Sequence, residues 1–358
     1  MKKETLLYDK HADGKVQCHT CAHECVISPG KFGFCETRTN VGGICYTLIY
    51  GALSAEAIDP VEKKPMFHFY PGHPIYSISS VGCSFKCLNC QNFHLSQVKG
   101  MKDEPVFDGA DGMTMRLHYK SPEDLIKSVE ESKCKLLAFT YNEPMIWLEY
   151  IIDVGKIARK KDIKIVLVTN GYTTRKALDL MLPYVDGANV DIKAFDAEFH
   201  KKVCKVPDFK PVLDCIKVLH DNGKEVEITN LLIPTMNDAP AMIRKLCEWC
   251  MKELGPDVPL HFSAYHPDYK LDVPSTPPET LVEARGIAQE IGLRNVYVGN
   301  AYLPGSEDTI CPKCKATVVA RQGFSITSIK LDAKNNCSAC GYPISIVGEA
   351  KKSSFRFF

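Results

Sequence analysis

The 358-residue sequence has no long apolar run and almost no net charge. No stretch approaches the roughly 18–20 apolar residues that a membrane-spanning helix requires. The first ten residues, MKKETLLYDK, lack the apolar region of a secretory signal. A formal charge of +1 gives no electrostatic reason to expect nucleic acid or an anionic membrane as a partner. We therefore expect a cytoplasmic protein with neither kind of partner.

Two common nucleotide-binding motifs are also absent. No G-x-G-x-x-G follows a first predicted strand, and no Walker A sequence occurs. Hydrophobic residues make up 45% of the chain and charged residues 24%, which is ordinary for a globular enzyme. Composition thus indicates a globular enzyme that does not bind nucleotides by either of these routes.

Cysteine, in contrast, is abundant, with 17 residues. In a long chain without an expected secretory signal, clustered thiols indicate metal binding rather than a disulfide framework. Eleven of the cysteines fall in three spaced clusters, and the C-x2-C pair Cys247 and Cys250 shares a helix face and is interpreted as buried thiols. The other scattered cysteines are Cys45, Cys134, Cys204 and Cys215.

From about residue 75, short β-rich runs alternate with amphipathic stretches over seven units, which indicates parallel strands joined by right-handed crossovers. Polar groups follow nearly every predicted strand, and a ring of such groups favours a barrel over a single crevice. We predict a partial (β/α) TIM-like barrel over residues 61–305, with cysteine-rich metal modules over residues 1–60 and 306–358. The polar groups at the strand ends are Asn142, Glu143, Thr169, Asn170, Asp191, Lys193, Asn230, His266 and Asn300.

The first cysteine cluster, Cys83, Cys87 and Cys90, has the spacing C-x3-C-x2-C directly after a predicted strand. Thiolates are the usual ligands of iron–sulfur clusters, and a [4Fe–4S] cluster has four irons. Three cysteines leave one iron without a protein ligand, and an open coordination position is typical of a catalytic site. A zinc site that borrows a distant fourth ligand is the alternative.

This loop, followed by Asn92, resembles the radical S-adenosylmethionine (radical SAM) superfamily. The chain is similar to the pyruvate formate-lyase activating enzymes and to the radical SAM member of the AmmeMemoRadiSam group. The similarity runs through CHTCAHECVISPGKFGFC, IDPVEKKPMFHFYPG, GCSFKCLNCQN, FTYNEP, VTNGY, NVDIKAF, IPTMND, FSAYHPDYK, VYVGN and CPKC.

The resemblance implies the radical SAM fold and an oxygen-sensitive oxidoreductase with Cys83, Cys87 and Cys90 as catalytic metal ligands. Its cofactors would be a [4Fe–4S] cluster with one open iron and S-adenosylmethionine, which such enzymes split reductively to a 5′-deoxyadenosyl radical. The radical would abstract hydrogen from a small molecule or from a protein, for example a glycyl radical enzyme. Ferredoxin or flavodoxin would supply the electron.

The resemblance also implies residues that bind S-adenosylmethionine. Glu143 in TYNEP corresponds to the acid that accepts hydrogen bonds from the methionine amino group. Asn170 in VTNG corresponds to a nucleoside contact. Lys193 in VDIK corresponds to the lysine that reaches the methionine carboxylate, with Asp191 beside it. His266 in AYHPDY corresponds to a histidine that faces the cofactor.

The sequence departs from the family pattern at three positions, and alternative roles stay open. Tyr141 and Asn142 stand where relatives carry two glycines, and Val168 stands where relatives carry aspartate. Glu143 could instead cap the next helix, and His266 could be a structural histidine. Asp191 and Lys193 could be a solvated ion pair.

The second cluster has four cysteines within eighteen residues of low apolar content, spaced C-x2-C-x3-C-x9-C. A tetrahedral metal that substitutes for a hydrophobic core explains this pattern. Zinc or another structural metal is our interpretation, while an auxiliary [4Fe–4S] cluster, or His19 or His23 in place of one thiolate, stays open. The cysteines are Cys18, Cys21, Cys25 and Cys35.

The third cluster consists of two C-x2-C pairs on either side of the β-rich stretch ATVVARQGFSITSIKL. Paired knuckles of this kind are typical of a zinc ribbon or a rubredoxin-like site, so we expect zinc or iron. The cysteines are Cys311, Cys314, Cys337 and Cys340.

Two other functions are compatible with parts of the sequence. A non-catalytic scaffold would hold structural zinc at all three clusters. An aldolase-like barrel enzyme would form a Schiff base at Lys193.

Overall fold

The structure, a computed structural model, describes residues 1–103, 106–109 and 112–353. The strands are β1 (Lys3–Glu4), β2 (Tyr8–Lys10), β3 (Val16–Cys18), β4 (Val26–Ile27), β5 (Arg38–Val41), β6 (Ile44–Thr47), β7 (Ala52–Leu53), β8 (Ala55–Pro60), β9 (Pro74–Ser79), β10 (Val98–Asp103), β11 (Val106–Gly109), β12 (Thr114–Arg116), β13 (His118–Tyr119), β14 (Leu136–Phe139), β15 (Lys164–Thr169), β16 (Gly187–Asp191), β17 (Glu225–Leu232), β18 (Leu260–Ala264), β19 (Val296–Gly299), β20 (Thr309–Ile310), β21 (Thr317–Gln322) and β22 (Ser325–Ile329). The α-helices are α1 (Phe93–Ser96), α2 (Pro122–Glu131), α3 (Leu148–Lys160), α4 (Arg175–Met181), α5 (Ala197–Phe199), α6 (Lys210–Asp221), α7 (Pro240–Glu253) and α8 (Pro278–Ile291). Short 3₁₀ turns cover Val61–Lys63 and Pro144–Trp147, and a π-helical turn covers His200–Cys204.

The central sheet has eight strands in the order β8-β9-β14-β15-β16-β17-β18-β19. β9 and β14 to β19 run parallel, each beside the next in the chain, and β8 pairs antiparallel with β9. All seven predicted strands are present, and the predicted α/β barrel fold is confirmed. Among the described residues the edge strands β8 and β19 do not pair with each other, so the barrel is partial.

Helices connect the parallel strands and bury one face each. The start of α2 is specified by local sequence, since Ser121 Oγ accepts a hydrogen bond of 3.1 Å from the Asp124 backbone N–H and Pro122 occupies the first turn. The long α8 was not identified from the sequence. In the described part of the chain, no helix combines the length and the apolar character that a membrane crossing requires.

Residues 61–73, here called the plug segment, connect β8 to β9 and cross the inside of the barrel. The Pro65 carbonyl accepts a hydrogen bond from Asn189 Nδ2 on β16 at 2.8 Å. The His68 backbone N–H donates to Glu227 Oε1 on β17 at 2.7 Å, and the His68 ring bonds the Tyr297 hydroxyl on β19 at 2.6 Å. The plug segment thus contacts the three strands β16, β17 and β19 at points before their carboxyl ends. It forms the floor of the space inside the barrel.

Glu62, at the start of the plug segment, has a side chain with 1% exposure. Its Oε1 accepts from the Gly72 backbone N–H at 2.8 Å, and within the described residues its Oε2 has no hydrogen-bond partner. Burial raises the pKa of this carboxyl from 4.5 to about 7, although the Arg321 guanidinium opposes the shift. The folded protein therefore keeps a proton on Glu62 in a pH range where the unfolded chain has released it.

We expect Glu62→Gln to change the pH dependence of stability. Because the pKa is higher in the folded state, the wild-type free energy of unfolding should fall as the pH rises from about 5 to about 7. Glutamine cannot ionise, so the variant should be more stable than wild type at pH 8 by about 2–3 kcal/mol. Urea denaturation at pH 5 and pH 8 measures this, with the exposed Glu131→Gln on α2 as control. Parallel pH profiles for wild type and Glu62→Gln would refute the assignment.

The N-terminal strands form two small sheets, β1-β6-β5 and β2-β3-β4, beside the barrel. Arg38 on β5 joins them to α3 through a buried ion pair with Glu149, with nitrogen–oxygen distances of 3.1 and 2.8 Å. Breaking a buried pair leaves an uncompensated charge and costs about 3–5 kcal/mol. The N-terminal module is therefore fixed to the barrel by a specific polar contact as well as by packing.

The C-terminal strands β20, β21 and β22 form the predicted β-rich hairpin sheet. Arg321 on β21 donates to the Phe67 carbonyl of the plug segment at 2.8 Å and to Thr309 Oγ1 at 2.9 Å. The Val347 backbone N–H donates to the His68 carbonyl at 2.8 Å. The C-terminal module thus packs against the plug segment, on the side away from the strands' carboxyl ends.

Candidate active site at the carboxyl ends of the strands

A cavity of about 300 Å³ lies at the carboxyl ends of the parallel strands. Strand ends and the loop after β9 line it, as expected for a parallel α/β barrel. Seven of the eight residues predicted to be catalytic or to bind cofactor line this cavity, and His266 does not. The seven are Cys83, Cys87, Cys90, Glu143, Asn170, Asp191 and Lys193.

Gly82, three residues after the end of β9, precedes the first cysteine of the loop and has a φ of +83°. A Cβ atom there would lie 2.5 Å from Thr37 Cγ2 and 2.7 Å from the Cys35 carbonyl oxygen. Glycine is needed both for the left-handed conformation and for this close approach of the N-terminal module. The Phe85 backbone N–H and Asn170 Nδ2 lie 3.3 and 3.5 Å from Cys83 Sγ, in position to donate to a thiolate.

The thiols of the loop fit the donor set of a [4Fe–4S] cluster. Thiolate is the ligand that such clusters take, and each thiolate binds a different iron. The Sγ atoms of Cys83, Cys87 and Cys90 are not all within 4.8 Å of one another. Among the described residues, only the C-terminal cysteines lie that close together. The loop is therefore wider than a site for one ion, and the cavity beside it leaves room for a further ligand.

Cys204 is a neighbour of the loop that the sequence did not single out. It ends the π-helical turn, and its carbonyl accepts a hydrogen bond of 3.0 Å from the Lys86 backbone N–H. Its thiol hydrogen-bonds Cys87 and is the first cause of the raised pKa of that thiol. Cys204 does not line the cavity, so three thiols, and not four, face the space at the strand ends.

Glu143 links the ends of β14 and β15. Its Oε1 accepts from the Met145 backbone N–H at 2.8 Å and from Thr169 Oγ1 at 2.5 Å, and its Oε2 accepts from the Asn170 backbone N–H at 2.8 Å. Burial raises its pKa to about 7, and these hydrogen bonds oppose the rise. The helix-capping role considered for Glu143 is present, and its carboxylate also lines the cavity.

Asp191 and Lys193 form an ion pair at the end of β16, with Asp191 Oδ2 and Lys193 Nζ 2.8 Å apart. Burial lowers the pKa of Lys193, but the Asp191 carboxylate outweighs burial and raises it above its usual value. A Schiff-base lysine needs a neutral amine, so a stabilised ammonium disfavours the aldolase alternative. The two side chains are about a quarter exposed, at 26% and 21%.

His266 lies at the rim of the site. Its side chain is exposed, and its Nε2 lies 3.0 Å from Nε2 of Gln91, the residue after Cys90. Gln91 lines the cavity. His266 therefore lies beside the cysteine loop and contacts Gln91 of the cavity wall, but it does not line the cavity itself.

A polar trio inside the barrel was not predicted from the sequence. The Tyr141 hydroxyl donates to Asp59 Oδ2 at 2.6 Å, and Lys64 Nζ donates to the same oxygen at 2.6 Å. Burial lowers the pKa of Lys64 to about 8, and the neighbouring ammonium holds the pKa of Asp59 below its usual range. Lys64 and Tyr141 line the cavity, so Tyr141, at a position where the resemblance implies glycine, places a hydroxyl there that is bonded to Asp59 on β8, just before the plug segment.

The C-terminal thiols lie close enough to hold one metal ion. All four Sγ atoms are within 4.8 Å of one another, and the Cys311–Cys340 and Cys314–Cys337 distances are both 3.6 Å. A tetrahedron of sulfurs about 2.3 Å from zinc has edges of about 3.8 Å. The spacing thus fits a single ion with four thiolates, as the paired knuckles predicted.

Cys314→Ser should remove metal from this site and lower the melting temperature by several degrees, because metal binding contributes folding energy to a module with so small a core. Metal bound at Cys83, Cys87 and Cys90 should not change, since the C-terminal module packs away from the active-site cavity. Elemental analysis and differential scanning calorimetry measure these effects. Lys313→Ala, in the same knuckle, should change neither. An unchanged metal content in Cys314→Ser would rule out this site.

The sequence model of the Radical SAM superfamily matches residues 77–249 of this chain. An uncharacterized protein of Methanocaldococcus jannaschii is 41% identical over 347 residues, which cover 96% of this chain and 99% of that protein. The (2S)-3-sulfopropanediol dehydratase activating enzyme of Klebsiella oxytoca is 29% identical over 113 residues, or 32% of this chain and 35% of that enzyme.

Among solved structures, a domain of a pyruvate-formate lyase-activating enzyme from Bacteroides vulgatus is 21% identical. It covers 46% of this chain and 98% of its own, with a TM-score of 0.40. The superfamily match spans the cysteine loop and the strand ends that carry Glu143, Asn170, Asp191 and Lys193. The chain therefore belongs to the radical SAM superfamily.

Proposed function

We propose that this protein cleaves S-adenosylmethionine reductively and uses the product radical to abstract hydrogen from a protein or a small-molecule substrate. The observation that carries the proposal is the arrangement of Cys83, Cys87 and Cys90. These three thiols line the cavity at the strand ends, while the fourth nearby thiol, Cys204, does not. A [4Fe–4S] cluster held there would keep one iron free of protein ligands.

The cofactors supply the difficult chemistry, and the protein supplies binding, orientation and exclusion of water. When bound, the cluster would give one electron to the sulfonium of S-adenosylmethionine, whose C5′–S bond breaks to methionine and the 5′-deoxyadenosyl radical. Cys83, Cys87 and Cys90 would act as thiolate ligands. The electron would come from a donor of the ferredoxin or flavodoxin type.

The remaining site residues would bind and orient S-adenosylmethionine. Lys193 carries a stabilised positive charge and is suited to the methionine carboxylate, with Asp191 holding it in place. Glu143 would accept from the methionine ammonium while it anchors the end of β15. Asn170 is suited to the nucleoside, and His266 to the rim of the site.

The names of two similar proteins support a partner enzyme as the substrate. The K. oxytoca relative is named as an activating enzyme for a dehydratase, and the B. vulgatus structure as one for pyruvate-formate lyase. By analogy, this protein would abstract hydrogen from a backbone glycine of a partner enzyme. A small-molecule substrate is the other form of the same reaction.

Anaerobic assay with dithionite and S-adenosylmethionine tests the proposal. We expect methionine and 5′-deoxyadenosine to form in equal amounts, with or without added substrate. Protein that is loaded with iron and sulfide, reducible, and still unable to release 5′-deoxyadenosine would contradict it. Such a result would leave the non-catalytic scaffold as the better interpretation.

A further inference from the structure

The N-terminal thiols surround a second, closed space in the protein. Cys18, Cys21 and Cys35 are buried at 5, 6 and 5% exposure, and Cys25 is half-buried. Neither nearby histidine takes the place of a thiol, and a fifth buried thiol, Cys45, hydrogen-bonds Cys18 without lining the cavity. His19 is bound by Asp9 and Glu24, and the His23 ring bonds the Ser84 carbonyl at 2.7 Å. The cavity is lined by Cys18, Thr20, Cys21, Cys25, Ile27, Gly33, Cys35, Arg38 and Ile146.

The spacing of these four thiols is too wide for a single ion. In the described part of the chain, only the C-terminal thiols form a group of three or more with all Sγ atoms within 4.8 Å. One zinc ion would bring its four sulfurs to about 3.8 Å from each other. The N-terminal thiols instead surround a common cavity at a wider spacing, as do the thiols of the catalytic loop. Four thiolates on four separate irons require such a spacing.

One buried hydrogen-bond donor lines the same cavity without a partner. Within the described residues, Arg38 Nε forms no hydrogen bond, whereas the Thr20 side chain already hydrogen-bonds the Cys18 thiol. A buried donor left unsatisfied costs about 1–3 kcal/mol, so Arg38 Nε indicates an acceptor that belongs in this cavity. A zinc ion brings no acceptor atoms of its own, whereas the bridging sulfides of an iron–sulfur cluster are acceptors.

Other donors already point at the thiols themselves. The Phe34 backbone N–H lies 3.4 Å from Cys25 Sγ, and Thr37 Oγ1 lies 3.3 Å from Cys35 Sγ. The Arg38 guanidinium, which is paired with Glu149, lines the cavity and is close enough to interact electrostatically with Cys18 and Cys35. Such surroundings favour an anionic metal–thiolate group in a water-excluded site.

We propose that Cys18, Cys21, Cys25 and Cys35 hold an auxiliary [4Fe–4S] cluster rather than the zinc that their sequence spacing suggested. This cluster, with four protein thiolates, has no open iron and is not a second site for S-adenosylmethionine. The Cys35 carbonyl packs against Gly82, the residue before Cys83. The N-terminal thiol site and the catalytic cysteine loop are therefore in direct contact through the backbone. The proposal does not depend on the proposed function, because it concerns which metal the N-terminal thiols bind.

The test separates the two sites by substitution. The triple variant Cys83→Ala/Cys87→Ala/Cys90→Ala removes the catalytic ligands and leaves the N-terminal thiols. Purified without oxygen and reconstituted with iron and sulfide, it should hold about four irons and four sulfides and show the broad charge-transfer absorption of a [4Fe–4S] cluster. Wild type should hold about eight of each. Mössbauer spectroscopy on ⁵⁷Fe-loaded protein assigns the cluster type.

Two further variants complete the test. Cys21→Ala/Cys35→Ala should hold about four irons and keep only the catalytic cluster. The matched control Cys247→Ala/Cys250→Ala, a buried C-x2-C pair on α7, should keep the wild-type iron content. The proposal would be overturned if the triple variant held two zinc ions per chain and no iron or sulfide after reconstitution. This result can be read even if the Cys21→Ala/Cys35→Ala protein fails to fold. If wild-type protein held iron at the N-terminal thiols but did not cleave S-adenosylmethionine, only the proposed reaction would be contradicted.

Discussion

Cys87→Ala is expected to reduce the release of 5′-deoxyadenosine below detection while the protein stays folded. Cys87 is the middle cysteine of the loop, with 8% exposure, and alanine cannot bind iron. If the three thiolates hold the proposed cluster, removing one of them would prevent stable binding of that cluster, and the cleavage step would lose its electron source. The measurement is product quantification under dithionite, with circular dichroism as the check on folding.

Cys204→Ala is the matched control for this experiment. Cys204 is a fully buried thiol that touches Cys87 but does not line the cavity. We expect this variant to keep its iron and to release 5′-deoxyadenosine within a few-fold of wild type. Turnover that survives Cys87→Ala but fails in Cys204→Ala would mean that the ligand set is wrong.

Lys193→Gln is expected to weaken the binding of S-adenosylmethionine by about 100-fold, since losing one partner of a desolvated charge pair costs about 2–5 kcal/mol. The ammonium is held by Asp191 at 2.8 Å, and its removal leaves that carboxylate facing the carboxylate of the ligand. Equilibrium dialysis of labelled S-adenosylmethionine against anaerobic, reconstituted protein measures the effect. The iron content should not change.

Lys201→Gln provides the comparison, since Lys201 is an exposed lysine paired with Glu198 on the surface. Its affinity for S-adenosylmethionine should remain within twofold of wild type, because exposed pairs contribute little. If Lys193→Gln bound the ligand as well as Lys201→Gln, the pair at the end of β16 would be a solvated structural ion pair. That is the alternative that the sequence left open.

The order of the fold could be predicted because its signals are local. Each parallel strand is a short β-rich run, polar residues lie at or just beyond most of the strand ends, and the strands follow one another in the sheet in chain order. Ser121, Pro122 and Asp124 specify the start of α2 within four residues. The convergence of Glu143, Asp191 and Lys193 followed from the rule that parallel strands meet at their carboxyl ends.

The interior of the barrel could not be predicted, because its contacts join distant parts of the chain. Cys204 reaches Cys87 over more than a hundred residues through a π-helical turn that has no sequence signature here. Asp59, Lys64 and Tyr141 meet only because the plug segment crosses the barrel. Sequence spacing also cannot measure the distance between thiols, which is what distinguishes the N-terminal site from the C-terminal one.

Electron paramagnetic resonance of the anaerobic, dithionite-reduced protein, recorded before and after S-adenosylmethionine is added, tests the central claim most directly. A cluster held by only three thiolates has an iron that the added compound can bind. We therefore predict a saturable change in the spectrum that is absent in Cys87→Ala. A spectrum that S-adenosylmethionine leaves unaltered, or a protein with no iron at residues 83–90, would contradict the account.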